Sequence, residues 1–344
     1  MLSNRGLALA LSPQILTLTV WVLGANPGTA CDLCAIYRAA DARGEYSSGI
    51  NVSLAHQYIP FRTEQFGGTK FERPDAETLD RAMSHVVVGW NATETLGFSA
   101  NLPIVHVRYD YNQVTDGFTP VRTRGSDTGL GDLALVGRWQ AWNRSTAERG
   151  VVLNVLGGIK LPTGDADALD LQADSIDRYE SIVGPGHDHD ALGQVISGIH
   201  LHDLALGSGS VDGIIGLAGQ FRWKRVFLNH QWQYYIRTEG AGNYRFANEF
   251  IASGGPGAFV WLSKSGSLSL QFNTVYDSRG SDEYRGRESV HTGLTAWYAG
   301  PQCVLTLGGS FSCVASVDIP LQITARGFQN VPDYRLNGSL NWRF

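Results

Sequence analysis

The segment from Thr163 to Ser210 holds nine carboxylates, one arginine and four of the nine histidines in the chain. Within it, His187, Asp188, His189 and Asp190 set imidazole beside carboxylate, a donor mixture that suits zinc or copper and can admit calcium. Further on, His200 and His202 share a face if that stretch is extended. Loop carboxylates are ordinarily solvated, so the expectation is no cofactor, with a divalent metal at the His187–Asp190 tract as the exception to test. The four cysteines are the other reactive groups. Cys31 and Cys34 form a C-x-x-C, but Ala35 stands where haem attachment requires histidine, and no βαβ pattern supports a thioredoxin-like role. In an oxidising compartment they become disulfide candidates, Cys303 with Cys313 across a turn at Gly308, and Cys31 with Cys34 locally or as a tether. The sequence contains no G-x-S-x-G elbow, no H-E-x-x-H and no His-x-Ser-Asn-Gly phrase, so an enzyme is not expected. A net charge of -5 without a basic block argues against nucleic acid as a partner.

These groups need a compartment and a scaffold. The amino-terminus reads as a signal peptide over residues 1–30: a short n-region, the apolar run "ILTLTVWVLGA", then "GTA" before Cys31. Residues 31–45 then form a periplasmic segment carrying the C-x-x-C, and residues 46–344 a single domain. After residue 25 no apolar run is long enough for a spanning helix. With 41 Gly, 9 Trp, 13 Tyr and 14 Phe against 17% charged residues, the composition suits many strands, tight turns and an aromatic girdle.

The closing stretch "YRLNGSLNWRF" alternates without a fault: Tyr334, Leu336, Gly338, Leu340, Trp342 and Phe344 on one face, Arg335, Asn337, Ser339, Asn341 and Arg343 on the other. A strand with one lipid-facing and one wet face has this pattern. Twelve such strands are expected, near 46–61, 84–92, 96–111, 131–142, 150–162, 211–223, 225–237, 246–262, 267–277, 290–305, 311–324 and 334–344. Short connections alternate with long, polar, Gly-rich ones, the longest being 163–210. The expected fold is all-β: a closed antiparallel transmembrane β-barrel of about 12 strands, with short periplasmic turns and long extracellular loops, in the outer membrane of a Gram-negative bacterium. Closure explains why the chain ends within a strand, since a last strand paired with the first leaves no edge. Its partners are then outer-membrane lipid, a small-molecule solute, and the assembly machinery that engages the C-terminal strand.

Strand parity assigns the lumen. The inward set is His106, Arg108 and Asp110, after a switch of parity at Pro103, with Asp132, Arg138, Lys160, Asp212, Arg222, Gln271, Asn273, Asp318, Arg335, Asn337, Asn341 and Arg343. Gln322 belongs to the same set, and His230 falls on the apolar parity. Twelve strands lie between barrels filled by side chains and those that leave a channel, so a narrow pore is expected, a closed scaffold being the alternative. In that pore the acidic loop would meet the lumen arginines and act as a gate.

Three phrases, "TGLGDLALVGRW", "GVVLNVLGGIKLPTGD" and "LALGSGSVDGIIGLAGQFRW", resemble the motifs of the outer-membrane transporter family called MetA-pathway of phenol degradation. The strongest elements are Pro162, Thr163, Gly164 and Asp165 ending one strand, and Gly207 and Gly209 opening the next. The resemblance implies an outer-membrane barrel for the passive passage of small solutes, aromatic or hydrophobic ones among them, without fixing a substrate.

Overall fold

The computed structural model describes residues 49–73, 76–114, 120–146, 148–183, 197–289 and 291–344. The predicted signal peptide, the Cys31/Cys34 pair and the His187–Asp190 tract lie outside the described residues. Twelve barrel strands run antiparallel: β1 (Gly49–Phe66), β2 (Thr78–Asn91), β3 (Leu96–Val114), β4 (Pro120–Leu130 continued as Leu133–Ser145), β5 (Arg149–Leu161), β6 (Asp212–Trp223), β7 (Val226–Ile236), β8 (Glu249–Leu262), β9 (Gly266–Arg279), β10 (Leu294–Leu307), β11 (Phe311–Ala325) and β12 (Phe328–Pro332 continued as Arg335–Arg343). Helix α1 (Asp167–Val183) and the single turn α2 (Leu201–Leu204) sit in the longest connection. No described helix is long and apolar enough to cross a membrane. Strands cross instead.

Closure is made by β1 against β12, from Asn51 opposite Arg343 to Tyr58 opposite Leu336, and then from Thr63 opposite Val331 to Phe66 opposite Phe328. The last residue completes the seam, because the Phe344 N–H donates to the Ile50 carbonyl at 2.8 Å. The seam thereby leaves neither β1 nor β12 with a free edge at lipid depth. Alternation then sorts side chains. Val151, Leu153, Val155, Ile159, Leu217, Phe221, Leu228, Trp232, Leu270, Phe272 and Leu340 are exposed on the outer face. Trp90, Trp139, Trp142, Trp223 and Phe344 are exposed near the short-turn end, where the aromatic girdle of such barrels sits.

Pro103 does not reverse the parity of β3. Asn101, Pro103, Val105, Val107 and Tyr111 are all buried inside, so His106, Arg108 and Asp110 face outward, contrary to the expectation from sequence. The irregularity falls on the partner strand instead, where Gly131 and Asp132 break β4 and the Gly131 N–H reaches the Pro103 carbonyl at 2.9 Å. The first half of β4, Pro120–Leu130, is a strand where the sequence predicts one of the long, polar, Gly-rich connections. It pairs with β3 from Ile104 to Val114, in the part of the wall whose outer face leaves the apolar belt. There Arg108 and Arg62 bind Asp80, and Arg122 and Arg124 bind Asp110, all on the outer surface.

Two other residues change sides or find an explanation. Gln322 is exposed opposite the outward Trp297, because a bulge between Trp297 and Tyr298 shifts the register of β10 on β11. His230 is exposed on the outer face, in a strand paired without a bulge on either side, between Gly219 and Gly254 and 6.0 Å from the Trp232 ring. The two glycines leave room for its ring on the wall.

The expected Cys303–Cys313 disulfide is absent: Cys303 lies opposite Ala315 and Cys313 opposite Leu305, and both are free. They share the outer face but are diagonal neighbours, with Cα atoms about 7–8 Å apart for that relation, beyond disulfide reach. Peptide mapping under non-reducing conditions should therefore find both as free thiols; a 303–313 bridge would show that the β10–β11 register is wrong.

Candidate functional site

The geometry at the long-loop end begins at Asp132, which the break in β4 turns into the lumen. Its Oδ1 accepts the Gly164 N–H at 3.0 Å, and its Oδ2 accepts the Ser208 N–H at 2.9 Å, the Ser208 hydroxyl at 2.6 Å and the Lys160 ammonium at 2.5 Å. Lys160 continues to Asp212 at 2.9 Å, and Asp212 to Arg237 at 3.0 Å, which also binds Glu249 at 3.0 Å. The side chains of Lys160, Asp132 and Asp212 are nearly buried. Removal of one partner would leave a charge without compensation.

The residues Pro162 to Asp165 and Gly207 to Gly209 tie the two ends of the long loop to this hub. The Thr163 hydroxyl accepts the Leu133 N–H at 2.8 Å, and the Gly207 N–H donates to the Asp165 carbonyl at 2.7 Å. Gly164 has no space for a side chain, since a Cβ there would lie 2.8 Å from the backbones of Gly131 and Gly207. Gly209 adopts a φ of +67°, a left-handed conformation that glycine takes at little cost. Sequence motif and charge hub are thus one structure.

From this knot the chain 197–208 enters the barrel mouth as a plug. Buried Glu77 accepts the Gly198 N–H at 2.8 Å and the Ser197 hydroxyl at 2.9 Å, while Arg81 donates to the Ala205 carbonyl at 2.7 Å. Ile199 and Leu204 pack on the inward side chains Ile59, Leu79, Met83, Val105, Val107 and Tyr111. This apolar plug explains why the inner face of upper β3 is apolar. Outside it, α1 packs Leu169, Ala173 and Ile176 against Ala205, Tyr244 and Tyr284, and Arg285 binds Asp177 at 2.6 Å. The described part of the loop tucks inward. Arg335 binds Asp277 at 2.8 Å, and Arg138 binds Asn154 and Asn91, all on the wall.

Four rings form a column through the plug, His291, His200, His202 and Tyr244, at centroid spacings of 6.2, 5.2 and 5.3 Å. His200, His202 and Asp203 bring three ligand atoms within 4.8 Å. Asp203 already accepts the His200 N–H at 2.8 Å, and Gln172 accepts from the His202 backbone at 2.7 Å. Burial acts to raise the Asp203 carboxyl, but the imidazoles of His202 and His200 outweigh it and hold the group well below the usual carboxylate range. Burial, and then Asp282, which accepts its hydrogen bond at 2.6 Å, push the Tyr244 hydroxyl up. The cluster caps and packs a turn.

Beneath the plug lies a cavity of ≈ 180 Å³ with apolar walls from Ile59, Met83, Val105, Ile214, Tyr235 and Phe246, and with Arg81, Lys160, Arg237 and Arg279 among its polar lining. Below it, towards the short-turn end, amides bind one another: Asn273 and Asn337 donate to Asp318 at 2.8 and 3.1 Å, Gln57 donates to Asn337 at 2.7 Å, and Asn341 donates to Ser312 at 3.3 Å. Gln271, Arg222 and Arg343 also follow the inward parity of their strands. Twelve of the fifteen residues assigned to the lumen from sequence are inward; His106, Arg108 and Asp110 are not. Glu77, Arg81, Arg237, Asp277 and Arg279 were missed. The last three continue the inward parity of β7 and β9, Arg279 two residues past the expected strand end.

The family described as "Putative MetA-pathway of phenol degradation" matches residues 78–182, which include two of the three phrases noted in the sequence. The resemblance read from them stands. No curated protein matches the chain. Among solved structures, an outer membrane channel from Pseudomonas putida F1 is 13% identical with a TM-score of 0.55, covering 88% of this chain and 98% of its own. The translocator domain of the autotransporter NalP from Neisseria meningitidis is 10% identical, covers 90% of this chain and 93% of its own, and has a TM-score of 0.42. The fold is that of an outer-membrane β-barrel.

The hub sets an energetic expectation. Lys160→Met leaves Asp132 without its cation in a nearly buried site and should destabilise the folded barrel by about 3–5 kcal/mol, read as a lower temperature for the heat-dependent gel shift. Adding Asp132→Asn to that variant should restore part of the loss; no recovery would mean that the lysine acts through packing and not through charge.

Proposed function

We propose that the chain is a channel of the Gram-negative outer membrane for the passive passage of small solutes of apolar or aromatic character, held closed in this state by its own long loop. The observation that carries this reading is the plug: an internal segment of the same chain fills the barrel mouth above a cavity with apolar walls. A purely structural barrel gains nothing from a separate segment seated in its interior, whereas a gate needs one. The plug rests on apolar contacts, backbone carbonyls and the Glu77 carboxylate, an arrangement that can be left and retaken without breaking the wall.

The same reading makes the protein a channel and not an enzyme. One serine–histidine contact stands on the outer surface, where His56 Nδ1 lies 2.9 Å from the Ser84 hydroxyl. Among the described residues no carboxylate orients that imidazole, as a hydrolytic triad requires. The pair has the character of a solvated contact above the belt. The channel reading also places the barrel among outer-membrane lipid and assigns its C-terminal strand, the closing partner of β1, as the handle for assembly.

Planar-bilayer recordings test the gate. Deletion of residues 168–204 should raise single-channel conductance, because it removes α1 and most of the plug while sparing the Asp132 knot. Ile199→Asp, which places a charge among the apolar side chains of the mouth, should raise open probability without changing the wall. Conductance unchanged from wild type in both variants would assign the barrel to a closed scaffold.

A further inference from the structure

Arg279 is a cation of the cavity that makes no ion pair among the described residues. At the end of β9 it faces inward in the row formed by Glu249, Arg279 and Leu294. Among the described residues no carboxylate lies within ion-pair distance of it, and its Nε has no hydrogen-bond acceptor. The surrounding acids are engaged elsewhere. Glu249 binds Arg237, Asp277 binds Arg335, Asp282 accepts from the Tyr244 hydroxyl and the Ala247 N–H, and Asp203, also in the lining, accepts the His200 N–H. The other cations of the lining are also engaged: Lys160 with Asp132 and Asp212, Arg237 with Asp212 and Glu249, and Arg81 with carbonyls of the plug. A guanidinium offers a planar fork of N–H donors that fits a carboxylate in two-point contact. Left without an acceptor inside a protein, such donors are costly.

The rest of the cavity fixes the size and character of what could supply that acceptor. Its ≈ 180 Å³ compares with an apolar cavity of about 150 Å³ that admits benzene. Ile59, Met83, Val105, Ile214, Tyr235 and Phe246 provide an apolar seat, with Thr292 and Gln329 also in the lining. We infer that the cavity is a binding site for a small monocarboxylate with an apolar body about one ring in size, its carboxylate on Arg279 and its body against the aliphatic and aromatic wall. This assignment rests on the channel reading and narrows it to compact organic acids, which would pause beneath the plug before they pass.

Calorimetric titration of the purified full-length barrel in detergent, with sodium benzoate and with neutral benzamide, tests the site. Benzoate should bind saturably, at one per barrel, and at least tenfold more tightly than benzamide. Arg279→Gln should weaken benzoate at least tenfold and leave benzamide unchanged, while Arg279→Lys should retain part of the preference for the anion. Met83→Trp, which fills the seat, should abolish binding of both; each variant is checked for the wild-type gel shift. Equal affinity for benzoate and benzamide, equal benzoate affinity in wild type and Arg279→Gln, or no saturable binding of benzoate would overturn the assignment. Its failure and that of the channel reading are separable. Selective binding with no conductance in the plug deletion would leave the site and remove the channel, and conductance without selective binding would do the reverse.

Discussion

The backbone hydrogen-bond ladder that closes on itself is the constraint from which the rest of this molecule follows. A strand in lipid has no water to satisfy its free edge, so β1 must find β12. The contact between Phe344 and Ile50 is the last rung. Once the wall is closed, alternation forces half of all strand side chains inward, and an interior of this width has to be filled, bridged or wetted. Each choice is used at a different height. Amides bind one another low in the barrel, a cavity lies above them, and a segment of the chain occupies the mouth.

A gate of the proposed kind needs fixed ends and a seat that the segment between them can leave. Asp132 supplies the fixed end by collecting donors from both ends of the loop, with Lys160 balancing its charge. Backbone packs directly on backbone at Gly131, Gly164 and Gly207, so the knot leaves no room for the ends to drift. Between the fixed ends, the contacts of Ile199 and Leu204 are apolar and non-directional, a kind of contact that can be lost and regained as a unit.

Much of this could be read from sequence, and the failures have one physical origin. Alternation reports that a strand has two unlike faces, but not which of them is inside. In β5, β6, β9 and the last part of β12 the apolar face meets lipid, so polar meant inward and Lys160, Asp212, Asn273 and Arg335 were placed correctly. Upper β3 inverts that logic, since its outer face has left the lipid and its inner face meets an apolar plug. His106, Arg108 and Asp110 therefore looked like lumen residues. The polar first half of β4 was missed because neither of its faces meets lipid. The cysteine pair failed for another reason: a shared face was legible, but the two-residue offset in the hairpin was not. Arg279 was hidden by a strand end placed two residues too early.

The outward apolar run on β1 extends from Ile50 to Leu54, since His56 meets Ser84 on β2 and Tyr58 beyond it donates to Asp80, and on β2 the run stops at Val86, whereas on β7 the isolated His230 is flanked by apolar residues from Val226 to Ile236. At about 3.3 Å per residue along a strand, those belts differ in length by roughly a factor of two. The hydrocarbon thickness is the same all round, so the mismatch must be taken up on one flank. Either the bilayer thins beside β1 and β2, or the barrel axis tips to bring its short side level with the rest, each at a fraction of a kcal/mol per ångström. The molecule is thus not rotationally equivalent to the lipid around it. Neighbouring proteins and lipids that prefer a thinner membrane would gather on the flank of the closing seam.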